Sequence, residues 1–298
     1  MTNSNDSNME QEYRRCRSLV DKRLSEFFIS DVNYAVLLEA MRYSLLAGGK
    51  RIRAVICMKF CQAVGDASRE KALDAACAIE MLHTYSLIHD DFPCMDDDDM
   101  RRGKPSSHIA FGEATAMLAG DALQAAAFEA LLGSALPSHV VAPMALILAQ
   151  AAGPHGICAG QYLDLSSEGK NLGSVELEEI HRLKTAALIS ASAQIGVLAG
   201  GGSQGQIEAA GMYANSVGLA FQIRDDLLDS ISTTKEFGKT VGSDNKKNKT
   251  TFATLYSISE CEDIIRLETE RAIGALQGIF SNTEFLTWLA RILAFRKN

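Results

Sequence analysis

Residues 89–108 read HDDFPCMDDDDMRRGKPSSH, with Asp90, Asp91, Asp96, Asp97, Asp98 and Asp99 crowded ahead of a basic pair. Carboxylates this close repel one another and raise each other's pKa unless a cation sits between them. A second stretch, FQIRDDLLD, carries Asp225, Asp226 and Asp229. On a helix, residues three and four apart share a side, so these carboxylates gather on one face. Either stretch alone reads as a solvated acidic helix end. Two of them, each closing an apolar run, read as a cradle for a hard cation such as Mg²⁺, which takes oxygen ligands and usually bridges to substrate phosphates.

Phosphate-binding groups are then expected nearby. GGKRIR places Lys50, Arg51 and Arg53 after a Gly-Gly break, where glycine permits close backbone approach and Arg can grip phosphate oxygens with two donors. Arg101 and Arg102 follow the first acidic stretch, and Lys239 and Lys249 follow the second. GxxxxGK[ST] does not occur, so the phosphate need not belong to a nucleotide. A rival chemistry is written in Glu80-x-x-His83 and Glu178-x-x-His181, the pairs that helical bundles use for a di-iron centre. That rival leaves the aspartates and the basic sets without a purpose.

The elements that must position these groups are helical. Apolar residues recur at three and four, as in YAVLLEAMRYSLLAGG, and only five prolines interrupt 298 residues. The breaks at residues 48–49, 64–66, 103–105, 153–154, 169–174 and 200–205 predict an all-α protein of roughly ten helices. No flexible linker divides it. The expected organisation is a disordered tail over 1–10 and one domain over 11–298. A 47% hydrophobic content is ample for a core, and a net charge of −8 argues against nucleic acid, whose phosphates need a basic surface. Seven scattered cysteines without a CxxC pattern indicate neither a disulfide framework nor a zinc site. With no signal or transit pattern at the N-terminus, the expected location is cytoplasmic. The most apolar run, 140–152, is too short for a bilayer, so no membrane segment is expected.

Taken together, LLAGGKRIR, HTYSLIHDDFPCMDDDDMRRGKPSSH, GQYLDL, EIHRLKTAALI, FQIRDDLLD and GKTVGSDNKKNKTTF resemble the trans-isoprenyl diphosphate synthases, most closely the bacterial farnesyl type, over nearly the whole chain. The resemblance implies a single-domain helical bundle around a central cavity, a homodimer, and isopentenyl and allylic diphosphates as substrates. It implies that Asp90, Asp91, Asp96, Asp225, Asp226 and Asp229 hold three Mg²⁺, for which Mn²⁺ is a substitute. Arg101, Lys184, Lys239 and Lys249 are then expected on the allylic diphosphate, and Lys50, Arg53, His83 and Arg102 on that of isopentenyl diphosphate. Thr185, Gln161 and Gln222 match polar positions near the reacting carbons, and Asp164 a supporting one. Ala54 stands where the family usually has Pro, Ala186 where it usually has Gly, and Tyr162 where a small residue is common.

The chemistry that such a set performs is ionisation of an allylic C–O bond. The leaving diphosphate needs concentrated positive charge, and the carbocation needs a dry pocket until the isopentenyl alkene attacks. Tyr85, with Ser86 beside it, precedes Asp90 on the same helix and is expected to floor the tail pocket, giving a farnesyl (C15) product. The nearly identical SLIHDD context of plant geranylgeranyl synthases makes C20 the alternative. A terpene cyclase has no need of GGKRIR, and a non-catalytic subunit of a heteromeric synthase is expected to lack one aspartate group; both groups are present here.

Overall fold

The computed structural model describes residues 4–29, 31–65, 67–231 and 249–296. Fourteen α-helices account for most of them: α1 (Ser4–Ser25), α2 (Ala35–Leu45), α3 (Ile52–Ala63), α4 (Leu73–Asp90), α5 (Ser107–Phe111), α6 (Glu113–Leu132), α7 (Ser138–Ala152), α8 (Ile157–Ser166), α9 (Ser174–His181), α10 (Ala187–Ala199), α11 (Gln204–Ile231), α12 (Phe252–Leu255), α13 (Ile258–Leu276) and α14 (Glu284–Phe295). A two-residue antiparallel pair, β1 (Met100–Arg101) with β2 (Lys104–Pro105), is the one departure from helix and turn among the described residues. Helix α1 begins at Ser4, inside the segment where the sequence leads one to expect a tail.

Two helices form the interior. Helix α4 buries twelve of its eighteen residues and α10 ten of its thirteen, which is why neither sequence shows a one-sided stripe: a helix apolar all round belongs inside. The small residues of α10 let its neighbours come close. A Cβ on Gly196 would lie 2.2 Å from the Cys57 carbonyl oxygen, so α10 and α3 touch backbone to side. Around these two, α6, α7, α3 and α11 pack in turn, and α13 and α14 close the far side of α11. Helix α13 is the amphipathic kind, and its start is fixed by a reciprocal cap in which Ser257 and Glu260 satisfy each other's backbone N–H, a device worth about 1 kcal/mol.

Residues 138–166 together are long and apolar enough, by length and composition, to cross a bilayer. The structure divides them by a turn at 153–156 into α7 and α8, fifteen and ten residues long, each shorter than the about 20 residues a span requires.

Candidate active site

The first acidic group is built by the end of α4. Asp90 is its last residue, and the chain turns through 92–95 so that the Asp96 N–H donates to the Asp90 carbonyl at 2.8 Å and the Asp98 N–H to the Asp91 carbonyl at 3.2 Å. The four-residue insert therefore brings Asp96 back beside Asp90. The two neighbouring aspartates at the end of α4, Asp90 and its C-cap Asp91, have different fates. Asp91 is buried and ion-paired with Arg101 of β1, which also meets Asp98 at 3.1 Å. Asp90 is pushed up to about 6 by burial; Asp96 and Asp91 add to the shift, while Lys184 and Arg101 oppose it.

The second group ends α11. Asp226 is buried and accepts hydrogen bonds from the Gln222 amide at 3.0 Å and the Phe252 N–H at 2.9 Å. Asp225 is ion-paired with Arg296, whose guanidinium lies 4.2 Å over the Phe221 ring. Asp229 is half-buried. His181 stands 4.0 Å from Asp226, stacks on Phe252, and is pushed down to about 4 by burial, so it is neutral at ordinary pH.

Between the two groups runs a wider turn of helix, a π turn over Arg182–Ala186 that joins α9 to α10. Such turns often mark functional sites because they re-aim side chains that a regular helix would hold in register. Here Thr185 is 3.1 Å from the Gln222 carbonyl, and Lys184 reaches Asp164 of α8 at 2.6 Å. Lys249 approaches the same Asp164 oxygen at 3.0 Å, and Asp96 and Glu168 at 3.6 Å each. Burial works against the Lys184 charge, yet Asp164, Asp90 and Asp96 hold its ammonium above the usual pKa. The lysines are thus tied to the first acidic group and Asp164, and the π turn reaches the second group through Thr185 and the Gln222 amide to Asp226.

A second cationic pocket lies at the start of α3. Gly48 and Gly49 adopt positive φ, and a Cβ on Gly49 would lie 2.9 Å from the Arg102 guanidinium carbon, so glycine is what admits Arg102. Arg102 donates to the Gly48 carbonyl. Arg53 lies 3.4 Å from His83, and its Nε has no hydrogen-bond partner. Burial and the guanidiniums of Arg53 and Arg102 hold His83 well below its ordinary pKa, so it enters the pocket as a neutral acceptor. Lys50 is exposed at the rim, and its carbonyl accepts from the Tyr13 hydroxyl.

Arg51 does not belong with these cations. It occupies a left-handed position (φ 53°) just before α3, is 1% exposed at the side chain, and is spent on Asp21 at 2.9 Å, Glu80 at 3.2 Å and the Leu45 carbonyl at 2.7 Å. This also disposes of the di-iron alternative. Glu80 is committed to Arg51 and the Ala54 N–H, and Glu178 is exposed. The Ala54 N–H is a donor that the family's usual proline lacks.

Lys239 lies outside the described residues. Gln161 is buried with neither amide atom partnered, which fits a side chain whose hydrogen bonds are made to a ligand. Tyr162, next to it, is 71% exposed and plays no part in the site. Tyr85 is buried, its hydroxyl 3.5 Å from the Ala152 carbonyl and 3.6 Å from the Cys158 sulfur, so its ring crosses from α4 to the α7–α8 turn; Ser86 is bound to the His83 carbonyl at 2.9 Å. Sequence reasoning missed Arg296, whose only signal is a basic residue near the C-terminus, and the partnership of His181 with Asp226.

The donors suit a hard divalent cation. They are all carboxylate oxygens, Asp90 is raised chiefly by burial, and a site that is incomplete on protein ligands alone is what Mg²⁺ uses when substrate phosphates and water fill the remaining positions.

A family model described as polyprenyl synthetase matches residues 34–278. The heterodimeric geranylgeranyl pyrophosphate synthase large subunit 1, chloroplastic, of Arabidopsis thaliana is 48% identical over 87% of this chain and 72% of its own. The chloroplastic geranylgeranyl pyrophosphate synthase of Capsicum annuum is 44% identical over 94% of this chain and 76% of its own. Among solved structures, an FPP/GFPP synthase of Zymomonas mobilis, crystallised apo, superposes with a TM-score of 0.86 at 34% identity, covering 97% of this chain and 100% of that one.

Proposed function

The chain belongs to the polyprenyl synthetase family and is a prenyl-chain-elongating transferase, and we propose that it joins isopentenyl diphosphate head to tail to an allylic diphosphate at the site between the two acidic groups. The observation that carries the reading is the first acidic group with Lys184 and Lys249 beside it, the second reached from the same π turn through Thr185 and Gln222, and a separate guanidinium pocket.

In this reading Asp90, Asp96, Asp225 and Asp229 hold Mg²⁺, with Asp91 and Asp226 fixing them from behind. The metal, when bound, supplies Lewis-acid charge to the leaving diphosphate. Arg101, Lys184, Lys239 and Lys249 grip the allylic diphosphate. Lys50, Arg53 and Arg102 hold the other diphosphate, and neutral His83 orients Arg53. Ionisation leaves an allylic cation, toward which the oxygens of Thr185, Gln161 and Gln222 direct partial negative charge. The alkene of isopentenyl diphosphate attacks, and the departed diphosphate takes the proton from C2; His83 is held at Arg53 in the other pocket.

For product length we take C20 as the reading, because the two curated relatives reported above are geranylgeranyl synthases. A specific observation favours C15: Tyr85, on the helix that descends from the metal site, reaches across to the α7–α8 turn and would stop the tail early. Incubation with Mg²⁺, isopentenyl diphosphate and, in turn, dimethylallyl, geranyl and farnesyl diphosphate, read by mass spectrometry, separates the two. Farnesyl diphosphate carried on to C20 supports the first reading, accumulation at C15 the second, and no elongation at all overturns both.

We further propose a homodimer joined through α6 and α7, where Leu118, Leu132 and Leu146 are exposed; light scattering of the purified protein checks it. All seven cysteines are free and five are buried, which fits a reducing compartment, as both cytosol and plastid stroma are.

A further inference from the structure

We propose that Tyr13 of α1 is a positioning residue for the isopentenyl diphosphate pocket, its hydroxyl holding the Lys50 peptide so that the Lys50 side chain stays at the pocket rim. The role rests on the prenyltransferase reading and adds to it an element, the N-terminal helix, that the acidic and basic motifs do not include. The hydroxyl donates to the Lys50 carbonyl across 37 positions of sequence.

The segment it holds has an unusual backbone. Gly48, Gly49 and Arg51 have φ of 86°, 129° and 53°. A side chain makes the left-handed conformation of Arg51 unfavourable, and such a conformation persists where the surroundings over-determine it. Because a peptide unit is planar, the Lys50 carbonyl turns only with ψ of Lys50 and φ of Arg51, the strained angle itself. Arg102 holds the Gly48 carbonyl from the pocket side, and Tyr13 holds the Lys50 carbonyl from the α1 side. The Arg51 carbonyl then accepts from the Val55 N–H at 3.0 Å, so the first turn of α3, which carries Arg53, starts from the same segment.

Tyr13 is itself well anchored. Its ring meets Trp288 of α14 edge-on, at 6.3 Å between centroids, and Cys16, Val20 and Leu24 bury the helix that carries it. Burial, with the Glu80 charge adding, raises the phenol above its ordinary pKa, so it remains a donor. Burial and the Arg296 guanidinium disfavour the Lys50 charge, so a Lys50 released from this tie gains by turning toward water.

Tyr13→Phe keeps the ring and removes the donor. With both substrates varied, the KM for isopentenyl diphosphate is expected to rise about three- to tenfold, the worth of one hydrogen bond. The KM for the allylic diphosphate and kcat should stay within about twofold. Trp288 is the chain's single tryptophan, so an unchanged emission spectrum verifies that the ring of residue 13 is still in place. Val20→Ala removes buried packing of α1 and no polar tie of the loop; it should lower the thermal midpoint and leave both KM values as they are. A Tyr13→Phe variant with both KM values raised together, with kcat alone lowered, or with the isopentenyl KM unchanged overturns the role, as does an equal selective rise in Val20→Ala. Wild-type protein that elongates no allylic diphosphate overturns the prenyltransferase reading itself, which is a different result.

Discussion

Arg51 sits in a run of cations that looks built for phosphate, yet its side chain is inaccessible, and replacing it should cost stability rather than substrate affinity. Arg51→Ala leaves Glu80, itself 2% exposed at the side chain, with the Ala54 N–H at 3.4 Å as its surviving donor. Stranding one member of a buried ion pair costs about 3–5 kcal/mol. At about 2.1 cal/mol/K per residue, a chain of 298 residues unfolds with an entropy of about 0.6 kcal/mol/K, so the melting midpoint should fall by about 5–8 °C. Arg51→Met with Glu80→Leu removes both charges and should recover most of that loss, since apolar replacement of a whole buried pair is often neutral. Calorimetry at one protein concentration measures the midpoints, and steady-state kinetics well below them measures the KM for isopentenyl diphosphate. An unchanged midpoint with that KM raised a hundredfold would refute the reasoning and return Arg51 to the phosphate pocket.

Substitutions at four other positions probe separate parts of the site. Asp90→Ala or Asp225→Ala should lower turnover by at least about two orders of magnitude with the circular-dichroism spectrum unchanged; a folded variant at wild-type rate removes that residue from the metal site. Asp90 has its folded pKa raised from 3.8 to about 6, so in chelator the folded state binds the extra proton between those values, and its contribution to stability falls as pH rises through that window. Asp90→Asn should therefore melt level with wild type at pH 4 and be more stable by up to about 3 kcal/mol above pH 6, whereas equal midpoints across the range contradict the shift. Tyr85→Ala should lengthen the product by at least one isoprene unit in the mass spectrum; an unchanged distribution puts the pocket floor elsewhere. Gly160→Ala drives a Cβ into the backbone of the π turn and should reduce both the midpoint and the allylic affinity, while a silent variant would mean that α8 can move aside.

How much of this was written in the sequence depends on whether spacing or direction carries the information. The helical repeat alone gathers Asp225, Asp226 and Asp229 on one side, and the apolar runs before both acidic groups place them at helix ends, as found. The bundle itself was equally legible, because glycine and proline punctuate it at the observed turns. Spacing does not tell which of two adjacent residues turns inward. Consecutive positions on a helix point about 100° apart, so Asp90 and Asp91, alike in type, end as a strained open carboxylate and a buried partner of Arg101. Arg51 and Arg53 divide the same way, and the division depends on a left-handed residue at position 51 that no composition rule announces. The N-terminal segment misled for a related reason. The polar composition of residues 1–10 reads as a tail, whereas α1 already begins at Ser4, carried by Cys16, Val20 and Leu24 beyond that stretch, which are fully buried. Arg296 was invisible because its partner Asp225 is distant in sequence and only the packing of α14 on α11 brings them together. The chemistry of each group is therefore local and readable, whereas which group faces the substrate is decided by tertiary contacts, and it is there that substitutions of neighbouring identical residues should give opposite results.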